Sequence, residues 1–413
     1  MSRWRISIRS NHTTRRLFFT CTEIRSRFSL HDPIFKDINV DEVISYYSPV
    51  VTKTFGFHDL IQFGRPPISD DHLVQNAQRI RQVILASLSR RIVALRNLPF
   101  IMMLNPNIST TYHKYLHSLH AVSTSNMEQI KSGHDNDKFV QSLEKVIEIH
   151  TDAIPTLAKG FAESQTYLSP AEVNAFLDIH LRDRIGTRLL AKHHIALTKQ
   201  SKSNAKLEKG QVGMVDLALY PSQMIEVIAE FLADICDIQY GIKPSIQIDH
   251  GEDVFLAYVP EHMEYILTEL LKNSFRASIE HHLSLTPSAR NKSSIRSSQL
   301  SPVIITIVET QHGVQIRLSD RGGGIADHNL KRIWAYSEST FEEELRDDGY
   351  KTLNTPPPSV TGTGGSSMGG LGYGLPLSRA YAEYFGGNIE LETAFDWGTD
   401  AYITLNGPKN QIV

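Results

Sequence analysis

The chain has 413 residues, 41% hydrophobic, 21% charged and 8% aromatic, with a formal charge of −3. That length allows two or three domains with a sizeable core. The composition excludes wholesale disorder, collagen-like repeats and a polycation that coats nucleic acid, so no nucleic-acid partner is expected. Two cysteines, Cys21 and Cys236, cannot build a disulfide framework or a cysteine-rich zinc site. The longest apolar run, Leu98 to Leu104 with Pro99 inside it, is too short to cross a bilayer, so no membrane span is expected.

The charge is unevenly placed. Residues 1–29 hold seven arginines against Glu23 alone, leaving 35 basic and 44 acidic residues, or −9, over 30–413. The arginines are interleaved with hydroxyls and with Trp4, Ile6, Ile8, Leu17 and Phe18, as in a mitochondrial presequence. Arg27-Phe28-Ser29 would be a cleavage point. A disordered basic arm is the competing reading, but it has no need of the large apolar residues.

Over 38–200 the period is helical. Leu73, Ala77, Ile80, Ile84, Leu88 and Ile92 recur at three- and four-residue steps, as do Leu143 to Phe161 and Phe176 to Leu189. Pro99 and Pro106 break one connection, and Ser132-Gly133 with Asp135-Asn136-Asp137 another. An antiparallel helical bundle domain is expected there. His193-His194 are expected to close its last helix as cations at the carbonyl end.

Beyond a Lys- and Ser-rich linker, 201–210, the pattern changes, and 211–408 is expected to form an α/β sandwich. Ser222–Tyr240, Glu261–His282 and Leu375–Phe385 read as helices. Ile246–Ile248 and Val254–Val259 read as a short strand pair; Val303–Val308, Val314–Leu318, Ile389–Leu391 and Ala401–Leu405 are further strands. The whole is an α+β chain, a helical bundle followed by a mixed sheet with helices on one face. The polar stretch 284–301 reads as an insert, and 338–370 as a lid.

Three motifs carry chemistry. Glu269, Lys272, Asn273 and Arg276 share one side of a helix, where Asn273 offers a neutral oxygen to a hard cation such as Mg²⁺. Taken alone, a solvated face with intrahelical ion pairs is the simpler reading. Asp320-Arg321-Gly322-Gly323-Gly324 follows a strand and combines a carboxylate, able to accept from the exocyclic amine of a base, with permissive backbone. A turn capped by Asp320 would look the same. Gly370-Leu371-Gly372-Tyr373-Gly374-Leu375-Pro376 opens a helix whose free amides suit an anion. No strand precedes it, as a dinucleotide fingerprint requires, and no Walker sequence, His-Arg-Asp or Asp-Phe-Gly occurs.

In this order the three motifs resemble the asparagine box and glycine boxes of the ATPase superfamily of histidine kinases, heat-shock chaperones and mismatch-repair ATPases. Glu269-Leu270-Leu271-Lys272-Asn273, Asp320-Arg321-Gly322-Gly323-Gly324, Gly372-Tyr373-Gly374-Leu375-Pro376 and Gly398-Thr399-Asp400-Ala401 are similar to those of the mitochondrial 2-oxoacid dehydrogenase kinases. Arg184-Ile185-Gly186-Thr187-Arg188 and Leu98-Pro99-Phe100 resemble that family's helical domain. The resemblance implies an ATP- and Mg²⁺-dependent serine kinase of the mitochondrial matrix that inactivates the decarboxylase alpha subunit of a 2-oxoacid dehydrogenase complex. The enzyme would dock on the lipoyl-bearing acyltransferase core and form a homodimer. Glu269 would be the base and Asn273 the Mg²⁺ ligand. Arg276, Asp320, Gly322, Gly324, Gly370, Leu371, Gly372, Tyr373, Gly374, Leu375 and Thr399 would bind ATP, with Lys272 as phosphate or structural support.

Arg184 and Arg188, one turn apart, could grip a 2-oxoacid effector, and an ordinary role on the bundle surface accounts for them equally well. Tyr265, one turn before Glu269, resembles the branched-chain kinases more than the pyruvate kinases, while Ser319-Asp320-Arg321 and Gly372-Tyr373-Gly374 resemble the pyruvate kinases more; the resemblance implies a slight preference for the branched-chain complex. The alternatives are a conformational ATPase or chaperone, in which Glu269 activates water, and, with less support, a two-component histidine kinase. The only Asp-Trp pair, Asp396-Trp397, precedes the last strand, and no tail pair is present to tighten a dimer.

Overall fold

The computed structural model describes residues 39–65, 68–123, 130–202, 210–285, 300–336 and 372–408. The presequence reading (1–29), the lid, Gly370, Leu371 and most of the 284–301 insert lie outside these residues.

The first part is helical: α1 (Val40–Tyr47), α2 (Phe57–Phe63), α3 (Asp70–Arg96), α4 (Phe100–Met103), α5 (Pro106–Ser123), α6 (Gly133–Ile149), α7 (Ala153–Glu163) and α8 (Pro170–Lys202). Side chains define the starts. Ser69 accepts from the His72 amide at α3, and Ser132 and Asp135 form a reciprocal capping box at α6. The Ser132–Asp137 stretch is therefore a helix start rather than a loop. α3 packs on α5, α6 and α8 through Ile80, Ile84, Leu88 and Ile92, all buried.

α8 does not end at His193-His194 as the sequence reading has it. Both rings are fully buried and burial pushes their pKa down to about 4, so they are neutral side chains rather than capping cations. His193 accepts from the Met214 amide (3.1 Å) and its Nε2 lies 2.9 Å from the Leu60 carbonyl, tying α2 and α8 to the segment that follows.

The second part holds β1 (Gln211–Val212), β2 (Val215–Leu219), α9 (Pro221–Tyr240), β3 (Ile246–His250), β4 (Leu256–Tyr258), α10 (Pro260–Leu285), β5 (Val303–Thr310), β6 (Gly313–Ser319), α11 (Asp327–Leu330), α12 (Gly374–Tyr384), β7 (Asn388–Ala394) and β8 (Gly398–Asn406). Five strands run in the order β3-β5-β6-β8-β7, with β3 and β5 parallel and the other pairs antiparallel. The expected pairing of 246–248 with 254–259 does not form. β4 joins β2 in a separate small sheet, because the chain leaves the main sheet at Gly251 (φ +87°), whose Cα lies against the Ile307 carbonyl. β1 and β2 were not anticipated. Val303, Ile305, Ile307, Val314, Ile316 and Leu318 alternate onto the face covered by the helices. No helix among the described residues is long and apolar enough to cross a membrane.

α8 and α12 join the two parts. A Cβ at Gly186 would lie 3.1 Å from the Tyr384 ring, which explains a glycine within Arg184–Arg188. Beside it, Arg182 bridges Asp178 (2.8 Å) and Glu383 (2.6 Å), and Arg379 reaches Glu383 at 3.3 Å.

Candidate active site

The site is built on α10. Glu269 is buried (5% exposed), and both its oxygens accept from Lys272 Nζ, at 2.7 and 2.6 Å. Asn273, one turn on, is exposed and has no hydrogen-bond partner among the described residues, leaving its amide oxygen open. Arg276 turns to Glu280 (2.7 Å). Of the four residues placed on one side of the helix, the structure engages Glu269 with Lys272 and sends Arg276 to a separate ion pair.

Asp320 stands at the end of β6 and is 7% exposed. Burial raises its pKa, opposed by hydrogen bonds from the Gly322 and Thr399 amides to Oδ1, at 2.9 and 3.2 Å. The Asp320 amide in turn donates to the Thr399 carbonyl at 2.9 Å. Gly322 rests on α10: a Cβ there would meet that of Ala277 at 2.5 Å. Gly324 (φ +70°) rests on Ala394. The glycines are thus required by contact with α10 and with the β7–β8 hairpin.

The third motif closes onto the first. Gly372 adopts φ +73°, and Gly374 begins α12 without a side-chain cap, leaving amides at a helix N-terminus. A Cβ on Gly374 would lie 2.2 Å from Glu269 Oε2. Tyr373 is buried, its ring 5.5 Å from that of Tyr336, and Leu375 is partly buried against the core. The motifs from three parts of the chain therefore meet along α10, with Glu269 under the glycine loop and Asp320 beside Ser274, one to two turns further along the helix.

Three features had escaped the sequence reading. Thr393 Oγ1 accepts from the Ile325 amide (2.7 Å) and lies 3.3 Å from Thr399 Oγ1. Their pairing across the β7–β8 hairpin was a usable signal, since the two strands bracket a short turn. Arg321 stacks on Trp397 at 4.1 Å, which gives Asp396-Trp397 a place beside the glycine box. Tyr336 is held by Asn174 of α8, whose Oδ1 accepts from its amide at 2.9 Å.

The arginines of α8 part company. Arg184 is buried, donates to the His150 carbonyl (3.0 Å), and is pushed down to about 10 by burial and then by Arg188. Arg188 lies 3.6 Å from Glu261, which also holds Lys192 at 2.6 Å. The structure brings them near each other without aiming both at one point.

A helix-borne acid and amide, a buried carboxylate at a strand end and a glycine loop at a helix N-terminus define a nucleotide-binding domain of the histidine-kinase-like type. Residues 258–409 match the family model described as histidine kinase-, DNA gyrase B- and HSP90-like ATPase. Residues 55–216 match that described as mitochondrial branched-chain alpha-ketoacid dehydrogenase kinase. The chain is 27% identical to pyruvate dehydrogenase (acetyl-transferring) kinase 1 of Saccharomyces cerevisiae, over 90% of this chain and 88% of the yeast protein. It is 30% identical to the Arabidopsis thaliana mitochondrial pyruvate dehydrogenase kinase over 84% and 88%. Against the Mus musculus isozyme 4 it is 27% identical over 90% and 84%. The chain belongs to the mitochondrial 2-oxoacid dehydrogenase kinase family, within the histidine-kinase-like ATPase superfamily; it is an ATP-using protein kinase.

Proposed function

We propose that this protein transfers the γ-phosphoryl group of ATP to a serine of the decarboxylase alpha subunit of a 2-oxoacid dehydrogenase complex in the mitochondrial matrix, switching that complex off. The observation that carries the reading is the closure of the glycine loop onto Glu269, with Gly374 so close that a Cβ would overlap the carboxylate. An acid so placed is beside the terminal phosphate of a nucleotide wrapped by that loop. Glu269 takes the serine proton as the oxygen–phosphorus bond forms.

Asp320 Oδ2 accepts from the adenine amine, with Thr399 beside it and Gly322 and Gly324 fixing the turn. Gly372, Tyr373, Gly374 and Leu375, together with Gly370 and Leu371 beyond the described residues, wrap the phosphates. Lys272 supplies a phosphate contact, while Arg276 supports the helix through Glu280. The open amide of Asn273 fits Mg²⁺, which prefers few protein ligands and completes its shell with phosphate and water. An ion held by Asn273 would supply neutralisation of the phosphate charge during transfer.

The relatives' names make the pyruvate complex the first substrate to offer. The branched-chain complex is the second, favoured by Tyr265 and by the description of the family matched over 55–216. The domain division at 38–200 and 211–408, docking on the lipoyl-bearing core, homodimer formation and a 2-oxoacid effector at Arg184 and Arg188 belong to the same proposal. Incubation with labelled ATP, Mg²⁺ and each complex tests it. Acid-stable label on serine supports the kinase reading, while phosphate release without labelling would make the protein a conformational ATPase.

A further inference from the structure

We infer that Arg182 is a positioning residue for the nucleotide: from α8 it grips Glu383 and so fixes the seat of α12, whose N-terminal glycine loop holds the phosphates. This rests on the reading of Gly372–Gly374 as the phosphate-wrapping loop. Gly372 is in the left-handed region (φ +73°) and α12 has no side-chain cap, so the loop amides lie wherever α12 carries them. The inner side of α12 is apolar, with Leu377, Ala380 and Ala382 buried. Apolar burial is non-directional; it holds the helix on the core without fixing its rotation or slide. A directional clamp has to do that.

Arg182 supplies one. Its Nε donates to both oxygens of Asp178, at 2.8 and 2.9 Å, and its Nη2 lies 2.6 Å from Glu383 Oε2. The circuit closes through two further segments. Glu383 Oε1 lies 3.3 Å from Arg379 Nε, and the Arg379 guanidinium covers the Trp334 ring at 4.1 Å. Two residues on, the Tyr336 hydroxyl donates back to Asp178 Oδ1 at 3.4 Å, while its ring stands 5.5 Å from that of Tyr373 in the glycine loop. A planar guanidinium fork that meets two carboxylates at fixed angles resists the rotation that apolar packing leaves free. Glu383 is also out of place for its own helix. An acid in the last turn works against the dipole, and α12 has no basic residue in that turn. Local helix stability therefore does not account for Glu383, whereas contact with α8 does.

Full-length wild type, Arg182→Met, Glu383→Gln and the double variant are compared by calorimetry with ATP and Mg²⁺ and with adenosine, and by steady-state phosphorylation of the acceptor complex that the labelling experiment identifies. Arg182→Met should weaken ATP binding about 3- to 10-fold, as loss of two half-exposed pairs does. KM for ATP should rise by the same factor with kcat within about twofold, because the loop grips the phosphates before and during transfer alike. Adenosine, which has no phosphates, should bind within about twofold of wild type. Glu383→Gln should weaken ATP likewise, with a Tm at or above that of wild type, because an acid has left the last turn. The double variant should be no weaker than the weaker single one, since the two side chains act as a pair. Unchanged ATP affinity in Arg182→Met, equal loss of ATP and adenosine, additive losses in the double variant, or a fall in Tm in Glu383→Gln overturns the inference. Gly372→Val, strained at φ +73°, is run beside them. If it binds ATP as wild type does, the loop reading fails; if it loses ATP while Arg182→Met keeps wild-type affinity, only the role of Arg182 fails.

Discussion

Replacing Gly374 by Ala separates the chemistry of the site from its stability. The glycine has ordinary helical backbone at the start of α12, so alanine is not strained there, and its helix propensity favours the variant by up to about 1 kcal/mol. The added Cβ, however, would stand 2.2 Å from Glu269 Oε2, and ordinary contact begins at 3.4 Å. Either the carboxylate or the glycine loop must therefore retreat by 1.2 Å. The carboxylate is the end of a flexible side chain, so the fold absorbs the change; Tm should stay within a few degrees of wild type. Catalysis should not absorb it, because a reacting group displaced by about 1 Å loses on the order of 100-fold in rate. Steady-state phosphorylation of the acceptor complex measures kcat, and thermal unfolding measures Tm. Wild-type kcat in Gly374→Ala would refute the placement of Glu269 beneath the loop, while parallel collapse of kcat and Tm would show that the glycine is there for folding.

Four further outcomes are expected. Gly398→Ala puts a Cβ 2.0 Å from the backbone carbonyl of Asp320, so the β6–β8 junction must open; stability should fall by about 2–4 kcal/mol and nucleotide binding with it, as read by unfolding with and without ATP. Asn273→Ala should lose the Mg²⁺ dependence of nucleotide affinity while Mg²⁺-free binding persists, measured by calorimetry in the presence of magnesium or of a chelator. Burial drives His180 down to about 3 and His193, His194 and His262 to about 4, from 6.5 in the open chain. Between these values the unfolded chain binds more protons, so stability is held above about pH 6.5 and lost as pH falls toward 4, at up to about 1.4 kcal/mol per pH unit for each histidine. Denaturant melts between pH 7 and 4.5 check this, and a flat profile would contradict it. Arg184→Met should abolish the response of kinase activity to added 2-oxoacids, assayed as the ratio of rates with and without effector; an unchanged ratio would remove Arg184 from any effector site.

Helices were legible where period alone decides. The steps through Leu73 to Ile92 recur as the buried stripe of α3, and Ser222–Tyr240 emerges as α9 with one residue added. The misreadings share a cause: local residue types were given local partners. Ile246–Ile248 and Val254–Val259 are neighbours in sequence and suggested a hairpin, yet the partner of the first is Val303–Thr306, more than fifty residues on. His193 and His194 looked like polar terminators of a helix, whereas their partners Leu60 and Asn136 come from distant helices and allow two imidazoles to sit buried and neutral.

The site was legible by a different route. Residue types and spacing on α10, taken alone, favoured a solvated face over a catalytic one, and only the joint presence of three boxes argued for the latter. What the boxes could not convey is the ion pair between Glu269 and Lys272, since the same spacing would serve a surface pair worth under about 1 kcal/mol. Burial changes its meaning. Gly374 covers the pair, and the two side chains are 7% and 14% exposed. In such a place removal of either partner leaves the other buried without its counter-charge, which costs far more than the loss of the same pair at the surface.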